Sequence, residues 1–138
     1  RQVQAAGFRF ARTTQNLCID AGMHAHELPT SAQFYPHSRT VWLRNFVSQR
    51  DWRKRSPALL PALREADWLP RLLALLALAK ARGGVFHLWL HAIDIEQLQL
   101  WQPLDRFLAQ LAASTPPEQR VANGELVSPA TAAFPSTP

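Results

Sequence analysis

The sequence predicts an α/β protein in which helices pack against a partial parallel sheet. The first observation is the stretch 68–82, whose leucines and alanines nearly encircle a helix and predict that it is buried. The second is the pair Gly83 and Gly84, which ends that helix and leads directly into the β-rich run VFHLWLH. The third is the continuous apolar character of this run, which is typical of a strand covered on both faces in a parallel sheet.

Length and composition fit one domain or part of a larger one. The chain has 138 residues, of which 47% are apolar, enough to build a core. The net charge of +5 is compatible with anionic partners but is also common in proteins that bind none. The longest strongly apolar run, residues 72–79, is far shorter than the roughly 18 residues of a membrane span. The single cysteine, Cys18, excludes an internal disulfide framework and leaves the compartment open.

The N-terminal part is predicted to contain two short strands. The chain opens with Arg1, and its first residues read as the end of a helix closed by Gly7, so we expect further residues to precede it. The segment GFRFA is a strand candidate, and residues 15–29 are predicted to form a loop because they show little periodicity. The stretch TSAQFYP is a second strand candidate, which Pro36 ends.

Four helices are predicted after this strand. Their start signals are Ser38 for the first, Ser56 and Pro57 for the second, Asp67 for the third and Pro103 for the last. The third helix should run to Arg82, and the last should turn Leu104, Phe107, Leu108 and Leu111 toward the core. From residue 114 onward the chain is rich in Pro, Ser, Thr and Ala. This composition predicts a folded part, residues 1–113, followed by a disordered, flexible C-terminal tail, residues 114–138.

Two histidines lie four residues apart in the run VFHLWLH. On a strand such positions share a face, so His87, Trp89 and His91 point the same way and can line one cavity. Two histidines without a third ligand are weak support for a metal site, and the zincin motif needs a glutamate where Leu88 stands. We expect His87 to be a hydrogen-bonded structural residue. His91 ends the strand, where α/β folds place active-site groups, so a functional and a structural role are equally open for it.

Three more histidines are predicted to lie in a loop or at a strand end. His24 and His26 have an HxH spacing with Glu27 beside them, which can bind a metal, but an exposed loop is the favoured interpretation because further ligands are missing. His37 follows the second strand candidate. It is interpreted as a strand-end or capping residue, with a place in a site as the alternative.

Residues 39–55 form a strongly basic segment. They carry six Lys and Arg residues against one acidic residue, with Trp42 and Trp52 interleaved. Such a pattern can bind nucleic acid through phosphate contacts and stacking. No groove-reading motif accompanies it, so nucleic acid is not the expected partner. A solvated helix face with inward-packing Trp residues is the favoured interpretation.

The chain resembles a known enzyme family over residues 1 to about 113. The stretch GGVFHLWLHAIDIEQLQLWQPLDRFLAQLA is similar to the end of polysaccharide deacetylases of the NodB-homology type (carbohydrate esterase family 4). The last barrel strand of that family typically ends in Leu-x-x-His, which matches Leu88 to His91 here. The stretches AAGFRFARTTQN and LPTSAQFYPH are similar to later barrel strands of a bacterial subgroup, and DWLPRLLALLALAKARGG is similar to the helix before the final strand.

The resemblance implies the C-terminal part of a distorted (β/α) barrel that removes N-acetyl groups from a glycan. Family members hold a divalent metal, often zinc, with an Asp and two His, because the metal lowers the pKa of bound water and polarises the amide carbonyl. A separate Asp acts as base and a late His as general acid. Carried over to this chain, the late His is His91, and Leu88 would line the acetyl pocket. Trp89, Arg12 and Thr13 are the other implied substrate-binding residues.

Several family motifs are missing. The family's Asp-Asp, His-x-x-x-His and Arg-Pro-Tyr segments lie earlier in its barrel, and no part of this chain corresponds to them. His87 and His91 have the same spacing as the metal pair but belong to the last strand, so the metal ligands are not expected in this chain. Residues ARTT stand after GFRF where many relatives carry an aspartate that tunes the catalytic His. Relatives also often have Gly in place of Leu90 and a polar residue in place of Ala92.

Three hypotheses follow. The leading one is a fragment of a polysaccharide deacetylase-like hydrolase that supplies His91 and part of the substrate cleft but depends on a missing N-terminal half for the metal site and for activity. The alternative is a non-catalytic basic module that binds an anionic polymer or a partner protein through residues 39–55. The third is a degenerate, inactive barrel remnant. Because an open half-barrel leaves strand edges uncovered, the isolated chain is expected to be marginally stable or prone to aggregate.

Overall fold

The computed structural model describes residues 2–20 and 24–127, which are mostly helical and include a small parallel sheet. In chain order the elements are α1 (Gln2–Ala5), β1 (Ala32–Gln33), α2 (Arg39–Ser48), α3 (Trp52–Arg64), α4 (Trp68–Ala81), β2 (Leu88–Trp89), α5 (Ala92–Gln97) and α6 (Trp101–Ser114). Two short 3₁₀ helices, Pro117–Gln119 and Glu125–Val127, follow α6. These elements confirm the predicted mixed α/β class, whereas the barrel stays a prediction.

Three extended segments run side by side in the same direction. β1 pairs with β2 in parallel, with Ala32 opposite Leu88. On the other side, residues 11–17 run along residues 28–31, and the amide of Leu17 donates to the carbonyl of Ser31 at 3.0 Å. The order across the sheet is therefore the order along the chain, and the carboxyl ends of all three segments meet at one end of the sheet.

The two glycines after α4 have different structural roles. Gly83 has a φ of +60°, in the left-handed region, and its amide donates to the carbonyl of Lys80, which ends the helix as predicted. Gly84 passes so close to the chain that follows the first segment that a Cβ atom there would lie 2.2 Å from the carbonyl oxygen of Ile19. The amide of Val85 donates to that same oxygen at 2.6 Å. Gly84 thus permits the close approach that holds the last segment in register.

Two of the predicted helix starts are confirmed. Ser38 is the N-cap of α2, and its hydroxyl accepts from the amide of Val41 at 3.4 Å. Asp67 is the N-cap of α4, and Arg82 is its C-cap. The capping residues were sufficient to predict these two helix starts, because each directly adjoins an apolar helical stripe.

The other two starts were placed wrongly. α3 begins at Trp52, four residues before the predicted Ser56, and continues through Pro57. Pro57 has no amide to donate to the carbonyl of Arg53, but the hydroxyl of Ser56 donates to that oxygen at 3.2 Å and replaces the lost bond. The last helix, α6, begins at Trp101, so that Pro103 is its third residue, where a proline removes no helical hydrogen bond.

The core lies between the helices and the sheet, and Phe34 is at its centre. The Phe34 ring meets Trp68 edge-on at 4.9 Å and Phe107 at 6.0 Å between ring centroids. Phe107 is fully buried, and Leu104 and Leu111 of α6 pack against the core. Leu108, also predicted to face the core, is 49% exposed because it lies at the edge of this stripe. Each large apolar side chain buried in this way contributes about 1.5–3 kcal/mol.

The chain beyond α6 returns to the first extended segment. The Nη2 atom of Arg12 donates to the Oδ1 atom of Asn123 at 2.6 Å. This contact involves the first part of the predicted tail; residues 128–138, and residues 21–23 of the predicted loop, lie outside the described residues. The domain boundary at residue 113 stays a prediction. Within the described ranges, every helix is too short or too polar to cross a membrane.

Candidate functional site

A cleft of about 260 Å³ lies at the carboxyl ends of the three parallel segments. Each segment contributes to it. The lining residues are Thr14 and Asn16 from the first, Gln33 from the second with His37 just after it, Trp89 from the third, Val41, Trp42 and Asn45 from α2, and Gln49, the C-cap of α2. In open parallel sheets, ligands bind in the crevice outside the carboxyl ends of the strands. The cleft is therefore the candidate functional site.

Side-chain amides give the cleft much of its polar character. Gln49 joins α2 to the first segment, because its Oε1 atom accepts from the amide of Asn16 at 3.2 Å and its Nε2 atom donates to the carbonyl of Thr14 at 3.4 Å. Gln33 and Asn45 add further amides, and the ring of Trp89 adds a flat apolar wall. Amides supply both donors and acceptors without charge, which suits a neutral, polyhydroxylated ligand.

The buried guanidinium of Arg55 supports one wall of the cleft. Arg55 is 0% exposed and donates to the carbonyl of Asn16 at 2.8 Å. It also donates to the carbonyls of Asn45 and Phe46, at 3.0 and 2.9 Å. These carbonyls lie in the last turn of α2, where helical amide partners are lacking. One side chain thus caps α2 and fixes the loop that carries Asn16.

A second buried arginine, Arg71, supports the opposite wall. It is 1% exposed, and its Nη1 atom donates to the carbonyl of His37 at 2.7 Å. Its Nη2 atom donates to the carbonyls of Glu65 and Ala66, in the connection before α4. Burial is the physical cause that lowers the pKa of Arg71 from its usual value. Arg71 therefore ties the backbone of the His37 loop to the helical layer.

His37 is the titratable residue that lines the cleft. Its Nε2 atom lies 3.0 Å from the Oε1 atom of Gln33, and its ring centroid lies 4.5 Å from that of Tyr35. Its pKa is lowered from the usual value, first by burial and then by the charges of Arg44 and Arg71. The imidazole is accordingly neutral at neutral pH.

His91 and Trp89 lie together at the end of the third segment. His91 is exposed at the N-cap position of α5, makes no capping bond with its side chain, and meets the Trp89 ring edge-on at 4.7 Å between centroids. Trp89 lines the cleft, and His91 stands beside it. Leu88, expected to line an acetyl pocket, instead packs against the core, because side chains alternate along a strand and Trp89 takes the cleft side.

The two other implied substrate residues lie away from the cleft. Arg12 lines a separate cavity of about 450 Å³ together with His87, and its guanidinium is hydrogen-bonded to Asn123. The hydroxyl of Thr13 accepts from the amide of Gln15 at 3.3 Å. The next residue, Thr14, lines the cleft in its place.

His87 and Cys18 behave as structural residues. The Nδ1 atom of His87 lies 3.3 Å from the hydroxyl of Thr30, which agrees with the predicted hydrogen-bonded histidine. Burial, followed by the charge of Arg12, lowers the pKa of His87 to about 4. Burial raises the pKa of the Cys18 thiol to about 11, so Cys18 is not a nucleophile at neutral pH.

The described residues do not fit the metal that the family resemblance implies. In ranges 2–20 and 24–127, no three His, Cys, Asp or Glu side chains come together as a set that could hold an ion. The HxH pair does not converge on one point with other ligands: His24 is exposed, and the Nε2 atom of His26 lies 2.7 Å from the carbonyl oxygen of Phe8. We therefore assign no metal ligand among the residues of these two ranges.

The basic segment is only partly available to a ligand. Arg55 is buried, and Arg39 donates to the carbonyls of Arg64 and Glu65. Trp42 packs inward as expected, but Trp52 is 56% exposed. A shallow depression lined by residues 47–54 places Trp52 beside three basic side chains, Arg50, Arg53 and Lys54.

Sequence reasoning missed most of the cleft. Asn45 and Gln49 lie on the same stripe of α2 as Val41 and Trp42, so polar residues on an otherwise apolar stripe were an available signal. Asn16 lies in a region predicted to be a loop, and its long-range contacts with Gln49 and with buried Arg55 show why it is held in place. Comparisons with protein-family models, with curated proteins and with solved structures gave no match.

Proposed function

We propose that the chain is the C-terminal part of a polysaccharide deacetylase-like hydrolase and that its cleft binds an N-acetylated glycan. The observation that supports this proposal is the cleft at the carboxyl ends of three parallel segments, lined by amides and Trp89, with His91 beside it. In this proposal the segments are consecutive strands of a distorted (β/α) barrel, and an N-terminal half supplies the remaining strands.

The cleft has the chemistry to hold a sugar. Hydroxyl groups are both donors and acceptors, and Gln33, Asn45 and Thr14 offer matching groups. The Trp89 ring can pack against the apolar face of a pyranose. The volume of about 260 Å³ suits roughly one sugar residue, so neighbouring sugars would extend outward past His91.

His91 is proposed to act as the general acid. As water adds to the acetyl carbonyl carbon, its proton passes to the family's aspartate base, which in this proposal the N-terminal half would supply. As the C–N bond breaks, the imidazolium donates its proton to the departing nitrogen, which leaves as an amine while acetate is released. The exposed position of His91 at the end of the last segment leaves its ring free to reach such a nitrogen. The family's divalent metal would activate the water; the described residues of this chain form no set that could hold it.

The test uses the intact protein that includes this chain and its proposed N-terminal half. His91→Ala should lower acetate release from N-acetylglucosamine oligomers by roughly 100-fold, the usual scale for a general acid. His24→Ala, on an exposed loop, serves as the matched control and should leave the rate unchanged. If the unaltered protein does not release acetate in a metal-dependent reaction, the deacetylase proposal is contradicted. A fully active His91→Ala variant would remove only the role of His91.

The exposure of Trp52 among basic side chains supports a second candidate function, the binding of an anionic polymer or partner protein. This function predicts salt-sensitive binding to a sulfated glycan that fades when Arg50, Arg53 and Lys54 are changed to Gln. Arg55 is left unchanged in this test because it is buried and structural.

A further inference from the structure

His37 is held in the cleft through both its backbone and its ring. Its backbone carbonyl accepts from the buried guanidinium of Arg71 at 2.7 Å, and its backbone amide donates to the carbonyl of Tyr35 at 2.7 Å. Its ring is tilted by 36° against the ring of Tyr35, and its Nε2 atom meets Gln33. Because these contacts already restrict the His37 side chain, less conformational entropy is lost when a ligand binds to it.

The contact with Gln33 sets the tautomer of this ring. In the assigned orientation of the Gln33 amide, its Oε1 atom faces the ring and can only accept, so in this arrangement the Nε2 atom of His37 carries the hydrogen and donates across the 3.0 Å contact. In a neutral imidazole the other nitrogen, Nδ1, is then an acceptor. None of the described residues forms a hydrogen bond with Nδ1.

We propose that His37 is a substrate-binding residue whose Nδ1 atom accepts a hydrogen bond from a hydroxyl or amide N–H group of the N-acetylated glycan. This inference rests on the proposed function, since it names a further residue of the same site. It assigns His37 a role different from that of His91: His37 orients the bound sugar, whereas His91 delivers a proton.

The surroundings of His37 keep this acceptor available. Burial is the main cause that lowers the pKa of His37 and so disfavours a second proton on the ring; the charges of Arg44 on α2 and Arg71 on α4 add to it, and Asp94 on α5 opposes them more weakly. The uncharged residues Gln33 and Trp89 belong to the sheet side of the cleft. A protonated ring would donate from Nδ1 instead of accepting. The affinity for the glycan should therefore be highest at neutral pH and should fall as the pH falls through the lowered pKa of His37.

The test measures binding of a β-1,4-linked N-acetylglucosamine trimer to the 138-residue chain by calorimetry, with histidine NMR as a second readout. His37→Gln can place an amide N–H near the Nε2 position and keep the contact with Gln33, but it removes the Nδ1 acceptor. We expect it to weaken binding by about tenfold, the effect of one lost hydrogen bond. His37→Asn places an oxygen near the Nδ1 position and should retain affinity within about threefold. His24→Gln is the control outside the cleft.

The outcomes separate the two proposals. Weaker binding by His37→Gln, rescue by His37→Asn, and a glycan-induced shift of the His37 ring nitrogens support the inference. If the unaltered chain binds the trimer and folded His37→Gln binds it equally well, the role of His37 is overturned while the glycan cleft stands. If folded His37→Asn is as weak as His37→Gln, the acceptor role is overturned. If the unaltered, folded chain does not bind the trimer, both the role of His37 and the proposed glycan binding by this cleft are overturned, whereas acetate release by the intact protein tests the deacetylase proposal.

Discussion

At the scale of single residues, buried cations support the candidate site. Arg55 has no exposed surface, and the oxygens it contacts are backbone carbonyls and the side-chain amide of Asn16. The free energy of placing this charge in the interior is recovered through several hydrogen bonds made by one planar group. The sequence alone could not show that Arg55 is the buried residue, because its neighbours Arg53 and Lys54 are also basic. The three differ only in the side of α3 that they occupy.

This difference gives a matched pair of variants within one helix. Arg55→Leu should lower the free energy of unfolding by about 3 kcal/mol, because buried carbonyls of α2 and of the Asn16 loop lose their donor. Arg53→Leu, which removes an exposed arginine two residues earlier, should change it by less than about 0.5 kcal/mol. Urea denaturation followed by tryptophan fluorescence measures both values. Equal effects of the two substitutions would show that the Arg55 contacts do not stabilise the fold.

At the scale of elements, α3 shows how a local signal can mislead. A serine followed by a proline is a common helix start, yet here both residues lie inside a helix that begins at Trp52. The Ser56 hydroxyl replaces the amide that Pro57 lacks, so Pro57 costs less than the roughly 3 kcal/mol typical of a helix interior. This compensation depends on a side-chain rotamer, which residue spacing does not report.

Replacing Pro57 by Ala should therefore stabilise the chain. The new amide can donate to the carbonyl of Arg53, and we expect a net gain of about 1 kcal/mol after the greater freedom of the unfolded chain is included. Pro70→Ala is the control, because Pro70 is the third residue of α4, where its amide has no helical acceptor; its effect should stay within about 0.5 kcal/mol. Thermal denaturation by circular dichroism compares the two variants. A loss of stability in Pro57→Ala would show that packing of the proline ring outweighs its helical cost.

At the scale of the whole molecule, the sequence predicted the architecture better than the site. The apolar run after Gly83 and Gly84 predicted a parallel strand, and β2 pairs in parallel with β1 across three intervening helices. The cleft, by contrast, combines residues from positions 14 to 89, and its walls depend on long-range bonds such as that from Arg71 to His37. Such contacts leave no periodic pattern in one sequence. The short helix α5 was missed for a related reason, since its N-cap, His91, makes no capping bond.

One edge of β2 is not paired with another described strand. Within the described ranges the sheet has only two strands, so one edge of β2 has no neighbouring strand. Apolar side chains follow on the same stretch of chain, with Leu90 41% exposed and Ile93 62% exposed. An unpaired strand edge next to exposed apolar residues favours self-association, and in the proposed barrel the N-terminal half would cover this surface.

The isolated chain is therefore expected to associate as its concentration rises, as sedimentation velocity can measure. Leu90→Lys combined with Ile93→Lys should shift the chain toward monomer, because charged side chains at a strand edge oppose pairing. Val47→Lys combined with Leu60→Lys is the matched control: these residues are 60% and 55% exposed, but they lie on α2 and α3, away from the edge. That control should leave the association unchanged. A chain that stays monomeric at all concentrations and unfolds in one sharp transition would show that this surface needs no cover, and it would count against the half-barrel proposal.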